Sequence, residues 1–250
     1  MAEPLLRVEN ISKRFGGLLA IDRASIVAEA GRITALIGPN GAGKTTLFSI
    51  ITGFLSPSEG RVFYDGADIA GEPPHRLARR GVARTFQIVQ PFAGLTVREN
   101  IAVGSHLSRS SRSDALTAAG NVARAVGLAD ALDRPAAGLT VAGRKRLELA
   151  RALAIEPRLL LLDEVLAGLN PSEIRDMVPV IRAIQDRGTT IVMIEHVMQA
   201  VISLAEHVFV LSEGRIIAQG SPQAIANDPK VVEAYLGRGA ASRMAGTVHG

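Results

Sequence analysis

Apolar positions in this chain follow two rhythms, one of strands and one of helices. Residues 32–37 form a nearly continuous apolar run that stops at Gly38-Pro39-Asn40-Gly41, as a buried strand entering a tight loop does. Residues 44–52 then carry helical spacing and end at Gly53. Short apolar runs at 5–8, 25–28, 61–64 and 82–86 read as strands, the first two near a sheet edge and the third closing on the turn Asp65-Gly66. From about Ile88 to Glu156 the texture changes: Ala, Arg and Leu dominate, and Leu116, Val122, Ala125, Val126, Leu147, Leu149, Ala150 and Leu153 keep a helical spacing. Strand character returns at 159–162, with a helix over 172–185, a strand over Thr190–Ile194 and a helix over 197–204. Two strands at 207–211 and 215–218 follow, joined through Ser212-Glu213-Gly214. Such alternation predicts an α/β fold with a mainly parallel sheet covered on both faces, an antiparallel β edge and a helical insertion. The expected organisation is one domain over 5–237, its core at 5–87 and 157–237, the insertion at about 88–156, and a small polar tail at 238–250 that frays. No internal repeat is visible.

Composition narrows the chemistry. With 250 residues, 47% of them hydrophobic, the chain can bury a large core, and with aromatics at only 4% that core must be aliphatic. There is no Cys, so disulfides, thiol catalysis and Cys-ligated metals are excluded. The opening residues carry Glu3 and Glu9 and lack a long apolar stretch, so no signal peptide is expected. No run approaches the roughly 20 apolar residues of a membrane span, which leaves membrane association to a partner. A net charge of +4 fits an anionic ligand or surface; equally, Arg76, Arg79, Arg80 and Arg84 read as a solvated basic face. Nothing interleaves aromatics with basic residues, so no nucleic-acid partner is expected.

The segment Gly38-Pro39-Asn40-Gly41-Ala42-Gly43-Lys44-Thr45 fits G-x-x-x-x-G-K-[ST], set between a predicted strand and a predicted helix. Glycines let successive N–H groups converge on phosphate oxygens, and the helix N-terminus adds a favourable dipole. Lys44 would reach the β- and γ-phosphates, Thr45 would place its hydroxyl on Mg²⁺, and Thr46 follows at the start of the helix. An ordinary Gly-rich turn is the alternative, but such a string arises by chance in roughly one chain of this length in a hundred.

The apolar run 159–162 ends in Asp163-Glu164. Two carboxylates at the end of a buried strand are costly unless they meet a cation or the sheet margin. In an α/β sheet those strand ends line the ligand crevice. Asp163 would then hold the Mg²⁺ shell, and Glu164 would orient and polarise the attacking water, in a reaction that depends mainly on positioning and charge.

With these residues in place the sequence resembles the ABC ATPase family, which implies a P-loop NTPase (RecA-like) fold. The resemblance spans about residues 5–237. It implies that Gln87, in Arg84-Thr85-Phe86-Gln87, contacts Mg²⁺ and water; that His196 contacts the γ-phosphate; and that Phe15 stacks on adenine. Leu139-Thr140-Val141-Ala142-Gly143 aligns with the family signature L-S-G-G-Q, and here Val141 and Ala142 stand in place of glycines. By resemblance Thr140, Ala142 and Gly143 face a nucleotide on an opposite subunit, as does Asn170, which stands where Asp is common. A Cβ at Ala142 is expected to crowd that approach, and a subunit that binds without turnover is the alternative this departure raises.

The stretches 83–90, 92–100, 167–171 and 227–237 resemble ATP-binding subunits of branched-chain amino-acid importers and their relatives for amides and urea. That implies a cytoplasmic chain, peripheral on the inner membrane through permease subunits, paired with a second ATPase subunit and served indirectly by a substrate-binding protein. A permease helix would sit near residues 87–95, where Phe92 and Leu95 are apolar. Lipopolysaccharide-type exporter ATPases look similar, and a soluble ABC ATPase acting on nucleic acid or ribosomes is the more distant alternative. The segment between Asn100 and Arg124 is short for the importer group.

Overall fold

The computed structural model describes residues 4–86 and 90–236. The chain opens with a long hairpin, β1 (Leu6–Phe15) and β2 (Leu18–Ala28), which turns at Gly16-Gly17. β3 (Ile33–Ile37), α1 (Lys44–Ile51), β4 (Glu59–Tyr64), β5 (Ala67–Asp68), α2 (Pro74–Arg79) and β6 (Val82–Arg84) follow. Then come α3 (Val97–Ser105), α4 (Arg112–Ala125) and α5 (Val141–Leu153). The last third holds β7 (Leu159–Asp163), α6 (Pro171–Asp186), β8 (Thr190–Ile194), α7 (Met198–Leu204), β9 (His207–Ser212), β10 (Arg215–Gly220), α8 (Pro222–Ala226) and α9 (Pro229–Leu236).

Two sheets result. One is antiparallel, in the order β2-β1-β4-β5; the other runs β10-β9-β3-β8-β7-β6, parallel except for β10 at its edge. Strand periodicity divides the second sheet between two cores. Ile33, Ala35 and Ile37 of β3, with Leu160, Leu162, Ile191, Met193, Val208 and Val210, face the helices α3 to α7. Leu36, Leu159, Leu161, Val192, Ile194, Phe209 and Leu211 point the other way, onto α1 and the antiparallel sheet. A strand buried on both faces must be apolar at every position, which is why these runs are continuous rather than alternating.

The predicted α/β class and mainly parallel sheet are what the structure has. The differences are local. The first two strands are far longer than the short runs expected, because β1 shifts register at Val8/Ile11, Ile11/Lys13 and Lys13/Arg14 and holds Asn10 at φ 48°, which breaks its alternation. Among the described residues after Phe86, helix begins at Val97, where Thr96 and Glu99 form a capping box. The short helices α2, α8 and α9 went unpredicted; each begins on a proline, and none is long enough to display a full periodic stripe.

The order of the parallel sheet matters most for function. β8 lies between β3 and β7, so the C-terminal ends of three neighbouring strands deliver Gly38, His196 and Asp163 to one margin of the sheet.

Candidate functional site

The loop from β3 to α1 is packed as tightly as it is curled. Gly38 has φ 150°, and a Cβ there would lie 1.9 Å from the Leu211 carbonyl oxygen; at Gly43, φ 106°, it would lie 2.5 Å from Ile21 Cδ1. Only glycine lets the loop approach β9 and β2 so closely. Gly41, φ 78°, meets nothing, so there the demand is conformational. Lys44 is buried and folds back over the loop, its Nζ donating to the carbonyls of Gly38 at 2.8 Å and Pro39 at 3.0 Å. Burial lowers its pKa, opposed by the charges of Glu164 and Asp163.

Across from the loop, Asp163 ends β7, and its N–H donates to Thr85 Oγ1 at 3.0 Å. Its Oδ2 accepts from Arg84 at 2.7 Å, whereas Oδ1 is buried without a hydrogen-bond partner. Glu164 follows at φ 51°, a left-handed conformation that costs a non-glycine residue about 1–2 kcal/mol. Contacts from several elements hold it there. Its N–H donates to the Ile194 carbonyl at 3.0 Å, its carbonyl accepts from Lys145 Nζ at 3.0 Å and from the Ala167 N–H at 3.1 Å, and its Oε1 lies 2.9 Å from His196 Nε2. Behind them Glu195 is buried, its Oε1 accepting from the Leu166 N–H at 2.9 Å. Burial drives its pKa up to about 7 despite that bond, with Glu164 adding to the rise.

Phe15, residues 40–46, Glu164 and His196 together line one cavity of about 680 Å³. Basic and N–H donors on one element thus share a space with a held carboxylate on another, an arrangement suited to a polyphosphate and an attacking water.

A family model described as "ABC transporter" matches residues 21–167 of this chain. BraF of Pseudomonas aeruginosa, named as a high-affinity branched-chain amino acid transport ATP-binding protein, is 38% identical over 95% of this chain and 99% of its own. The chain belongs to the ABC transporter family.

LivG of Escherichia coli, which carries the same description, is likewise 38% identical, over 95% of this chain and 99% of its own. A second model, "Branched-chain amino acid ATP-binding cassette transporter", matches residues 215–241. Among solved structures, a nucleotide-free ATP-binding cassette from an ABC transporter superposes with TM-score 0.87 at 34% identity, covering 94% of this chain and all of that one. The ADP conformation of the cassette MJ1267 gives 0.86 at 35% identity over 95% of this chain and all of that one. This chain is accordingly an ABC ATPase, an ATP-binding subunit that hydrolyses ATP to power transport. No helix among the described residues is long and apolar enough to cross a membrane.

The residues expected to act across a dimer lie apart from the cavity of the phosphate loop. Thr140 caps α5 by accepting from the Gly143 N–H, and with Ala142 and Gly143 it lines a separate cavity of about 510 Å³. Val141 is 57% exposed on the same first turn. Asn170 caps α6: its Oδ1 accepts from the N–H groups of Ser172 and Glu173, so its carbonyl oxygen already serves its own chain. Gln87 lies outside the described residues. Phe92 is exposed and, with Phe54 and Phe86, lines a larger cavity of about 810 Å³ that reaches Thr45 and Asp163; Leu95 is half-buried and does not line it.

One sequence reading is corrected. Arg84 does not solvate a basic face: its side chain is 6% exposed and paired with Asp163. A clue was available, since Arg84 sits inside an apolar run, but charge composition alone does not reveal a partner 79 positions away. Lys145 and Glu195 were missed for the same reason, because their partners Glu164 and Leu166 are fixed only by the fold.

Proposed function

We propose that this chain is the ATPase subunit of an importer for branched-chain amino acids or related amides, seated beneath permease subunits at the inner face of the membrane and paired with a second cassette. The cavity shared by Lys44, Thr45, Glu164 and His196 is the observation that carries the catalytic half of this reading. In it the loop's N–H groups and Lys44 bind the phosphates of ATP, releasing Lys44 from the carbonyls of Gly38 and Pro39, and Phe15 stacks on the base. Glu164 orients water toward the γ-phosphorus and takes its proton as the bond to the departing ADP oxygen breaks; His196 fixes the Glu164 carboxylate and meets the γ-phosphate.

Magnesium fits the residues present. The orphaned Asp163 Oδ1 and the exposed Thr45 hydroxyl are hard oxygen donors, with Gln87 assigned to the same shell. One carboxylate plus hydroxyl and phosphate oxygens is the donor set this ion prefers, and among the described residues no cluster of three acidic or His side chains competes for it. Bound there, magnesium would neutralise phosphate charge.

The transport half is supported by the names of the full-length relatives and by the match at residues 215–241. The cavity bearing Phe54, Phe86 and Phe92 gives a permease helix an apolar seat. Co-expression with the permease genes found beside this one tests the assignment: the chain should move to the membrane fraction and drive ATP-dependent leucine uptake into proteoliposomes containing the binding protein. Phe92→Asp should release it from the membrane. Persistent solubility beside every neighbouring permease, or uptake of a different solute only, would overturn it.

A further inference from the structure

We propose that Arg84 is a positioning residue that presents the Asp163 carboxylate to the metal of the nucleotide complex; this rests on the reading of Asp163 as a metal ligand. Arg84 is a buried cation with a specific set of contacts. One terminal nitrogen donates to Asp163 Oδ2 at 2.7 Å; the other donates to Ser49 Oγ at 3.0 Å on α1 and reaches Thr52 Oγ1 at 3.5 Å. The guanidinium lies between aromatic faces, 5.8 Å from the Phe48 ring centre and 5.4 Å from that of Phe86. Ser49 in turn donates to the Thr45 carbonyl at 2.7 Å. A single planar group therefore ties the end of β7 to the helix that carries Thr45.

The consequence for Asp163 is geometric. A free carboxylate can rotate and offer either oxygen. Here Oδ2 is occupied by a charge-assisted hydrogen bond and the N–H by Thr85, so the oxygen left over is Oδ1, which is buried and unpartnered. Leaving such an oxygen bare is costly unless a ligand claims it. Arg84 thus fixes which oxygen is offered, and it fixes that oxygen relative to Thr45. Groups that orient a metal ligand in this way typically govern metal affinity by 10–100-fold.

The test measures metal binding directly. Mn²⁺ is titrated into the preformed complex with ADP and followed by electron paramagnetic resonance, while ADP affinity is measured separately in EDTA. Arg84→Met keeps the length and the packing on Phe48 and Phe86 but loses the fork; Mn²⁺ affinity should fall about 10–100-fold with metal-free ADP affinity unchanged within about twofold. Arg84→Lys, which holds Asp163 or Ser49 but not both, should fall between Arg84→Met and wild type. Ser49→Ala removes one anchor without stranding a buried charge, so it reports even if the arginine variants fail to fold; a loss of several-fold is expected. Asp163→Asn separates the two readings. If it abolishes Mn²⁺ binding while Arg84→Met, or Ser49→Ala where that variant alone folds, leaves the affinity intact, the role of Arg84 is overturned and that of Asp163 stands. If Asp163→Asn binds Mn²⁺ like wild type, the ligand assignment is wrong and the proposal falls with it.

Discussion

Replacing Glu195 by glutamine should make this protein more stable at alkaline pH, an unusual outcome for a change beside the hydrogen-bonded Glu164 and His196. Glu195 is 1% exposed, and its Oε1 accepts from the Leu166 N–H. Burial is the largest influence on it, raising its pKa from 4.5 to about 7; the Leu166 and His196 amides and Lys145 pull the other way, and Glu164 pushes it higher. Because the folded pKa is the higher one, the fold holds a proton that the unfolded chain has released between pH 4.5 and 7. The associated stability is therefore complete below about pH 4.5 and is lost as pH rises through 7. At about 1.4 kcal/mol per pH unit this amounts to about 3 kcal/mol. Glutamine has the same shape, keeps an acceptor for Leu166 and never ionises. Urea unfolding of both proteins at fixed ionic strength from pH 5 to 8 should show the variant gaining about 1–3 kcal/mol over wild type by pH 8, with near equality at pH 5. Parallel curves across that range, or a variant weaker at pH 8, would refute the assignment of a buried, readily protonated carboxyl.

Gly38→Ala should cost about 3 kcal/mol or more, since its Cβ would lie 1.9 Å from the Leu211 carbonyl oxygen at a φ of 150°; a melting temperature equal to wild type would show that the loop yields easily. Asn170→Ala removes the side-chain acceptor of the α6 capping box, leaving only the backbone N–H of residue 170 to Glu173, and should lower stability by about 1 kcal/mol, a drop of about 2–4 °C in melting temperature by calorimetry. Ala142→Gly in a Glu164→Gln background should strengthen ATP-dependent dimerisation seen by size-exclusion chromatography, if the Cβ on the first turn of α5 crowds the opposite nucleotide; an unchanged dimer fraction would place the obstacle elsewhere.

Signals that depend on neighbours in sequence were readable in advance. The loop between β3 and α1 was legible because a strand, three glycines, Lys44 and a helix occur in unbroken order, and the acidic strand because four apolar positions end in two carboxylates. The class of the fold followed from the same alternation. What escaped was set by contacts distant in sequence. Arg84 looked like one basic residue among several until β6 paired with β7 and brought it to Asp163. Glu195 and Lys145 gave no local hint, since each acts through a backbone group of another element. The length of β1 was hidden by its bulges, which disrupt the very alternation used to find strands. The left-handed conformation of Glu164 has no signature in residue type, being held by contacts with Ile194, Lys145, Ala167 and His196.

The phosphate loop and Glu164 are held to form one hydrolytic site, and the comparison of wild type with Glu164→Gln tests that most directly. ATP affinity and phosphate release are measured on the same preparations. Both proteins should bind ATP with similar affinity, and phosphate release from the variant should fall by about 100-fold or more. Equal release rates would remove Glu164 from catalysis, and a wild type that binds no ATP would contradict the site itself.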